Sequence, residues 1–137
     1  MIDGDDIGNK VAKSYIENNE KKLLETIQEL NCILSKIYEH LKTLEFEIIF
    51  CAADGIVGKG SNIDVDRFAY YLGSIGEPNY TFSAGIGNDL QSSFFSLKYA
   101  KAIGKNKVVL CEDGKQFRVI DGSLSTIACH ERPSPVG

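Results

Sequence analysis

The sequence has no paired cysteines, no long apolar segment and no excess of basic residues. Its four cysteines, Cys32, Cys51, Cys111 and Cys129, are far apart and form neither a CxxC nor a CxxH pair. This spacing argues against both a structural zinc site and a disulfide framework. Because Cys32 lies in a predicted helix and Cys51 in an apolar strand, we expect both to be small core residues.

The charge balance and the apolar runs limit where the protein acts. No segment approaches the roughly 18 apolar residues of a transmembrane helix, and the N-terminus lacks the apolar core of a signal peptide. We therefore expect a soluble, cytoplasmic protein with reduced cysteines and no membrane partner. The net charge of −4 argues against binding to duplex nucleic acid, which generally needs a basic surface. A nucleotide site would have to use individual lysines or metal ions.

The composition suits one folded domain. The 137 residues are 43% hydrophobic and 25% charged, enough for a single core. Hydrophobic periodicity and turn residues predict the order β, α, α, β, β, α, β, α, β, followed by an edge strand. The clearest element is a helix from about Glu20 to Thr43, where apolar residues recur at helical spacing over about six turns.

This order is typical of an α+β fold of the ferredoxin-like type, with a mostly antiparallel sheet and helices packed on one face. In that topology the first strand and the hairpin near residue 50 lie side by side in the centre of the sheet. We expect residues 1–120 to form this domain. Residues 121–137 have no hydrophobic period and end in a Pro-rich stretch, which predicts a peripheral or frayed tail.

Two acidic segments are candidates for a functional site. Asp54 lies at the tip of a predicted hairpin, where Asp-Gly is common for purely structural reasons. The segment DGDDIG, at residues 3–8, follows the first predicted strand. Because that strand and the hairpin are predicted neighbours, Asp3 should lie next to Asp54.

These residue types suit the binding of a metal and a phosphate. Carboxylates with a glycine carbonyl between them form the hard oxygen set that Mg²⁺ prefers. A pair of such ions can activate a ribose hydroxyl and neutralise a leaving pyrophosphate. Gly4 and Gly8 leave backbone N–H groups open near a helix N-terminus, where phosphates bind readily. The alternative is that Asp3, Asp5 and Asp6 only cap the first helix, and we expect at least one of them to do so.

Three segments, at residues 3–8, 52–55 and 99–106, resemble in sequence and order the motifs of GGDEF-type nucleotide cyclases and CRISPR polymerase palm domains. The resemblance is closest to the minimal CRISPR polymerases and covers residues 1–111. It implies that Asp3, the Gly4 carbonyl and Asp54 hold metal ions. The segment YAKAIGKN, at residues 99–106, resembles the closing helix signature, which implies that Lys101 and Lys105 contact the triphosphate. The remaining loop positions, which would complete the nucleotide site, are Asp5, Asp6, Ile7 and Gly8.

The sequence also departs from those families. Ala52 and Ala53 replace paired glycines, and Gly55 replaces an acid, so Asp5 or Asp6 would have to supply a further carboxylate if one is needed. The asparagine and aspartate that bind guanine in diguanylate cyclases have no clear match within residues 9–19. This absence, together with the resemblance, favours adenine.

The resemblance implies a Mg²⁺- or Mn²⁺-dependent nucleotidyltransferase that converts ATP, or another nucleoside triphosphate, into a cyclic oligonucleotide signal in antiviral defence. Making a cyclic dinucleotide requires each hydroxyl to reach the other nucleotide's α-phosphate, so we expect a homodimer at least during catalysis. One alternative is a catalytically silent palm that senses nucleotides, which the missing acid favours. Another is a structural interaction domain in which the motifs are coincidental.

Overall fold

The structure is a computed structural model that describes residues 1–114 and 116–121. Its elements follow the predicted order. The predicted tail lies outside the described residues except for Asp121, which ends the last strand, so the domain division at residue 120 stays a prediction. The elements are β1 (Ile2–Gly4), α1 (Ile7–Ile16), α2 (Glu20–Thr43), β2 (Glu47–Ala52), β3 (Gly55–Lys59), α3 (Val65–Ile75), β4 (Phe82–Ile86), α4 (Leu90–Ala102), β5 (Lys107–Cys111) and β6 (Phe117–Asp121).

The six strands form one sheet in the order β2-β3-β1-β4-β5-β6. Every neighbouring pair is antiparallel except β4 and β5, which are parallel. The short strand β1 pairs with β3 on one side and β4 on the other, so that Asp3 lies opposite Gly55 and Ser83. The predicted α+β class and the predicted contact between the first strand and the hairpin are therefore confirmed, although β2 lies at the sheet edge rather than at its centre.

Helices cover both faces of the sheet, so the expectation that they pack on one face is wrong. Ala84 and Val108 belong to the main core, which α2 and α3 cover. Gly85, the next residue of β4, faces α4 so closely that a Cβ there would lie 2.2 Å from the Ser93 carbonyl oxygen. The reason is topological, because parallel strands need a connection that crosses one face of the sheet.

Within the described residues, no helix is long and apolar enough to span a membrane.

The two cysteines expected in the core are exposed, and that expectation is also wrong. Cys51 belongs to the edge strand β2, where Ile49 and Phe50 are also about half exposed, at 51% and 54%. An apolar strand sequence therefore does not place a residue in the core when the strand lies at the edge of the sheet. Cys32 lies on the exposed side of α2, whereas Cys111 on β5 is buried.

Candidate active site

Asp3 and Asp54 lie together at one end of the sheet, as the sequence predicts. Asp3 is in β1, and Asp54 is in the turn between β2 and β3. The Gly4 N–H donates a hydrogen bond of 2.9 Å to the backbone carbonyl of Asp54. Burial raises the pKa of the Asp54 carboxyl, and the neighbouring negative charge of Asp3 raises it further. Two neighbouring, partly buried carboxylates provide a place where a cation would be favoured.

Position 4, between Asp3 and the start of α1, has no room for a side chain. A Cβ there would lie 2.6 Å from the Ile7 Cγ1 atom and 3.4 Å from the Asp54 Cβ atom. The Ile7 side chain is buried in the main core, so only its backbone can contribute to a site. Gly8 lies on the exposed side, where an added Cβ would meet no atom within 4 Å. The first N–H groups of α1 have no acceptor inside the helix, as at the start of any helix.

Asp6 occupies the N-cap position of α1 but does not cap the helix. Its backbone is left-handed, with φ of 58°, and its side chain makes no capping hydrogen bond. The carboxylate instead accepts a 2.5 Å hydrogen bond from the Lys105 ammonium. The side chains of Asp3 and Asp5 contact other groups, so the expectation that at least one of Asp3, Asp5 and Asp6 caps the helix is wrong.

Asp5 points into the protein and is only 4% exposed. Its carboxylate accepts four hydrogen bonds, from Lys101 at 2.7 Å, Thr81 and Ser83 at 2.8 Å each, and the Asn106 N–H at 2.9 Å. Burial alone would raise the pKa of Asp5, but these four bonds outweigh it and lower the pKa. In this arrangement Asp5 has no oxygen left for a metal or phosphate, and it ties three segments of the chain together.

The partners of Asp5 were not predicted from the sequence. Thr81 and Ser83 are two residues apart around β4, so their side chains lie on the same side of the chain. Two hydroxyls at this spacing, in an otherwise apolar segment, are the signal that could have indicated a buried polar partner. Asn106 contributes its backbone N–H, for which the sequence offers no side-chain signal.

Lys101 reaches the first acidic loop from the last turn of α4. Its ammonium donates hydrogen bonds to the Gly4 carbonyl oxygen at 2.8 Å and to Asp5 at 2.7 Å, and it lies 3.1 Å from an Asp3 carboxylate oxygen. Burial would lower the pKa of Lys101, but the hydrogen bonds and charges of Asp5 and Asp3 outweigh it and raise the pKa. The ammonium therefore stays charged between the two acids.

Lys105 lies in a loop of unusual backbone geometry. Gly104, Lys105 and Asn106 have successive φ values of 130°, 66° and 52°, a left-handed run that only glycine adopts without cost. The run turns the chain out of α4 and sends the Lys105 side chain to Asp6 rather than to Asp3. The structure thus brings both predicted lysines to the acidic loop, each on a different aspartate.

A family model described as the minimal CRISPR polymerase domain matches residues 1–111. The chain belongs to the minimal CRISPR polymerase family. No curated protein and no solved structure gave a match. The recognition predicted from the three motifs is confirmed, and all the residues of the candidate site lie within the matched range. Membership of this polymerase family indicates a nucleotidyltransferase role in general.

The resemblance to polymerase palms implies a cation at Asp3 and Asp54, and the oxygens there are of the kind that Mg²⁺ prefers. Within residues 1–114 and 116–121, no group of three or more His, Cys, Asp or Glu side chains could hold a metal ion. The candidate donors at this site are two carboxylates, those of Asp3 and Asp54, together with the Gly4 carbonyl. The Lys101 ammonium already serves as a stand-in cation on two of them. Few protein oxygens are normal for Mg²⁺, which usually keeps waters and shares substrate phosphates.

Proposed function

We propose that this minimal CRISPR polymerase is a Mg²⁺- or Mn²⁺-dependent nucleotidyltransferase that converts ATP into a cyclic oligonucleotide, most simply a cyclic dinucleotide that serves as an antiviral signal. The observation that carries the proposal is the convergence of Asp3, the Gly4 carbonyl, Asp54 and Lys101 beside the open N-terminus of α1. This arrangement supports a cation site beside a phosphate site.

Each residue has a distinct role in this proposal. Asp3, Asp54 and the Gly4 carbonyl would hold the metal, which supplies charge stabilisation for the attacking hydroxyl and the leaving pyrophosphate. The N-terminal amides of α1, starting at Ile7 and Gly8, would bind phosphate oxygens, aided by the helix dipole. Lys105, tethered to the exposed carboxylate of Asp6, would turn to the outer phosphates when they arrive.

The arrangement of Asp5 also supports a second candidate, a silent palm that binds nucleotides as a sensor. Gly55 stands where related cyclases carry an acid, and Asp5 is fully hydrogen-bonded elsewhere. Asp6 is paired with Lys105. If chemistry needs a third carboxylate, Asp6 is the better placed of the two candidates, because it is 51% exposed whereas Asp5 is buried and fully hydrogen-bonded.

One experiment separates the enzyme from the sensor. The protein is incubated with each of the four labelled nucleoside triphosphates and Mg²⁺ or Mn²⁺, and the products are resolved by mass. We expect a cyclic adenine product that requires the metal and disappears with a chelator. Nucleotide binding without any product would instead support the sensor, and a product from another base would overturn the choice of ATP.

We predict that Lys105→Ala weakens binding of ATP with metal by about 1 to 3 kcal/mol, the scale of a charge-assisted hydrogen bond. Titration of a non-reacting ATP analogue measures the effect. Lys98→Ala is the matched control, because Lys98 is exposed on α4 and lies over the Phe94 ring rather than near the acids. Equal affinity in both variants would mean that Lys105 is only a solvated charge paired with Asp6.

We predict that the specific activity rises with enzyme concentration in the dilute range. Within the described residues, the proposed site of one chain has one carboxylate pair and one helix N-terminus beside it, whereas cyclisation needs two nucleotides with their reacting atoms about 3 to 3.5 Å apart. Two chains facing each other across a two-fold axis would meet this need. Specific activity that stays constant down to concentrations where sedimentation shows only monomer would contradict the facing arrangement.

A further inference from the structure

The Lys101 ammonium contacts two of the three groups that are the proposed metal ligands. It lies 2.8 Å from the Gly4 carbonyl oxygen and 3.1 Å from an Asp3 oxygen, and both atoms belong to the proposed ligand set. Its side chain is only 22% exposed, so it is held in place rather than swinging in solvent. One positive charge already satisfies these oxygens.

A lysine ammonium and a divalent cation cannot share this position. Both need the same oxygens, and at such distances their charges repel each other strongly. Lys101 must therefore leave Gly4 and Asp3 before a divalent cation can use them. The displaced ammonium can keep its hydrogen bond to Asp5, which it already contacts at 2.7 Å.

Asp5 can hold the Lys101 ammonium by a hydrogen bond while the lysine leaves Gly4 and Asp3. The Asp5 carboxylate is nearly fully buried and stays fixed by Thr81, Ser83 and the Asn106 N–H even when Lys101 moves. A lysine that keeps its bond to Asp5 can swing away from Gly4 and Asp3 toward the open N-terminus of α1. That is where the proposed function places the triphosphate, an acceptor rich in negative charge.

We propose that Lys101 is the resident counter-ion of the metal site and makes metal binding depend on the nucleotide. Without nucleotide, its ammonium neutralises Asp3 and blocks the Gly4 carbonyl. With nucleotide, the triphosphate accepts the ammonium and frees these oxygens. The inference rests on the proposed function for the identity of the nucleotide, but the blocking contact is a property of the protein alone.

Mn²⁺ binding to the nucleotide-free protein tests the proposal, and the loss of the free-ion electron paramagnetic resonance signal measures it. Lys101→Met removes the competing charge and keeps most of the apolar stem. We expect this variant to bind Mn²⁺ at least about tenfold more tightly than the wild type, the scale of a charge-assisted hydrogen bond. Lys98→Met, which makes the same change of charge on the same helix, should bind Mn²⁺ as weakly as the wild type.

Lys101→Gln is the second variant, because it removes the charge but places a polar group rather than an apolar one beside the buried Asp5 carboxylate. It too should bind Mn²⁺ more tightly than the wild type. Circular dichroism establishes which variants are folded. The thermal stability of the wild type with Mn²⁺ alone is an independent test. Unchanged or weaker Mn²⁺ binding in a folded Lys101 variant would overturn the proposal. Thermal stabilisation of the nucleotide-free wild type by micromolar Mn²⁺ alone would overturn it as well.

These outcomes separate the inference from the proposed function. If the wild type makes no nucleotide product, the proposed activity fails, yet the Mn²⁺ titrations still decide whether Lys101 blocks the cation site. If the wild type makes product but the Lys101 variants bind Mn²⁺ no more tightly, only the counter-ion role is wrong.

Discussion

Replacing Asp54 by asparagine is expected to abolish nucleotide turnover while leaving the protein at least as stable as the wild type at neutral pH. The substitution removes a carboxylate that the proposed metal needs. Loss of several kcal/mol of charge stabilisation corresponds to a decrease in rate of about 10³-fold or more. Product yield at saturating ATP and Mg²⁺ measures this effect.

The stability of the Asp54→Asn variant follows from the raised pKa of Asp54. An acid whose pKa is raised in the folded state favours folding when it is protonated. The stabilisation that Asp54 gives the folded state is complete when the pH is below its ordinary pKa of 3.8. It is lost as the pH rises through the raised pKa of the folded state. At pH 7 the wild type therefore carries an unfavourable charge that the amide lacks. Thermal unfolding without metal should show an equal or higher midpoint for the variant.

Glu25→Gln is the control, since it makes the same change of charge at an exposed position of α2. Its product yield should equal that of the wild type. If Asp54→Asn keeps the wild-type yield, Asp54 is not a metal ligand. A clearly lower melting midpoint would show instead that the Asp54 carboxylate stabilises the folded protein and that its negative charge is not unfavourable there.

Replacing Asp5 by asparagine is expected to destabilise the protein by about 3 kcal/mol, because one partner of a buried charged network is lost. The amide would turn an NH₂ group toward a donor, and the Lys101 ammonium would lose its most buried partner. Urea unfolding at neutral pH measures the loss. Asp6→Asn is the matched control: this carboxylate pairs with Lys105 but is 51% exposed, so its loss should cost no more than about 1 kcal/mol.

The pH dependence gives a second test for Asp5. Because its pKa is lowered in the folded state, its contribution is present above the ordinary value of 3.8 and is lost as the pH falls through the lowered value. The difference in stability between the wild type and Asp5→Asn should therefore shrink as the solution is acidified below that range. A difference that stays constant on acidification would mean that the cost comes from packing rather than from the ionised carboxylate.

The neighbouring position of Asp3 and Asp54 was predictable, whereas the roles of Asp5 and Asp6 were not. The first follows from topology, since the strand before Asp3 and the hairpin that carries Asp54 are neighbours in the sheet. The second depends on one backbone angle, the left-handed φ of Asp6, which turns its side chain outward to Lys105. Local sequence favours a capping aspartate there, and only the tertiary partners override that preference.

The same limit applies to the helices. The long helix α2 has the bounds predicted from its periodicity, because its apolar stripe is strong. The face of the sheet that α4 covers was not predictable from periodicity, since the apolar side of a helix does not show which side of a sheet receives it. Lys101 was assigned by resemblance to a phosphate-contacting position, and its contacts with Gly4 and Asp3 appear only once α4 is placed on β4.

The missing side chain at Gly85 affects how such a site can change during evolution. Lys101 lies about two helical turns beyond Ser93, whose carbonyl sits where a Gly85 methyl group would be. Any larger residue at position 85 would push α4 away from β4. The Lys101 ammonium would then move out of hydrogen-bond range of its acceptors, a range that spans only a few tenths of an ångström. A residue outside the candidate site thus sets how far Lys101 reaches into it. It should tolerate substitution as poorly as the aspartates themselves.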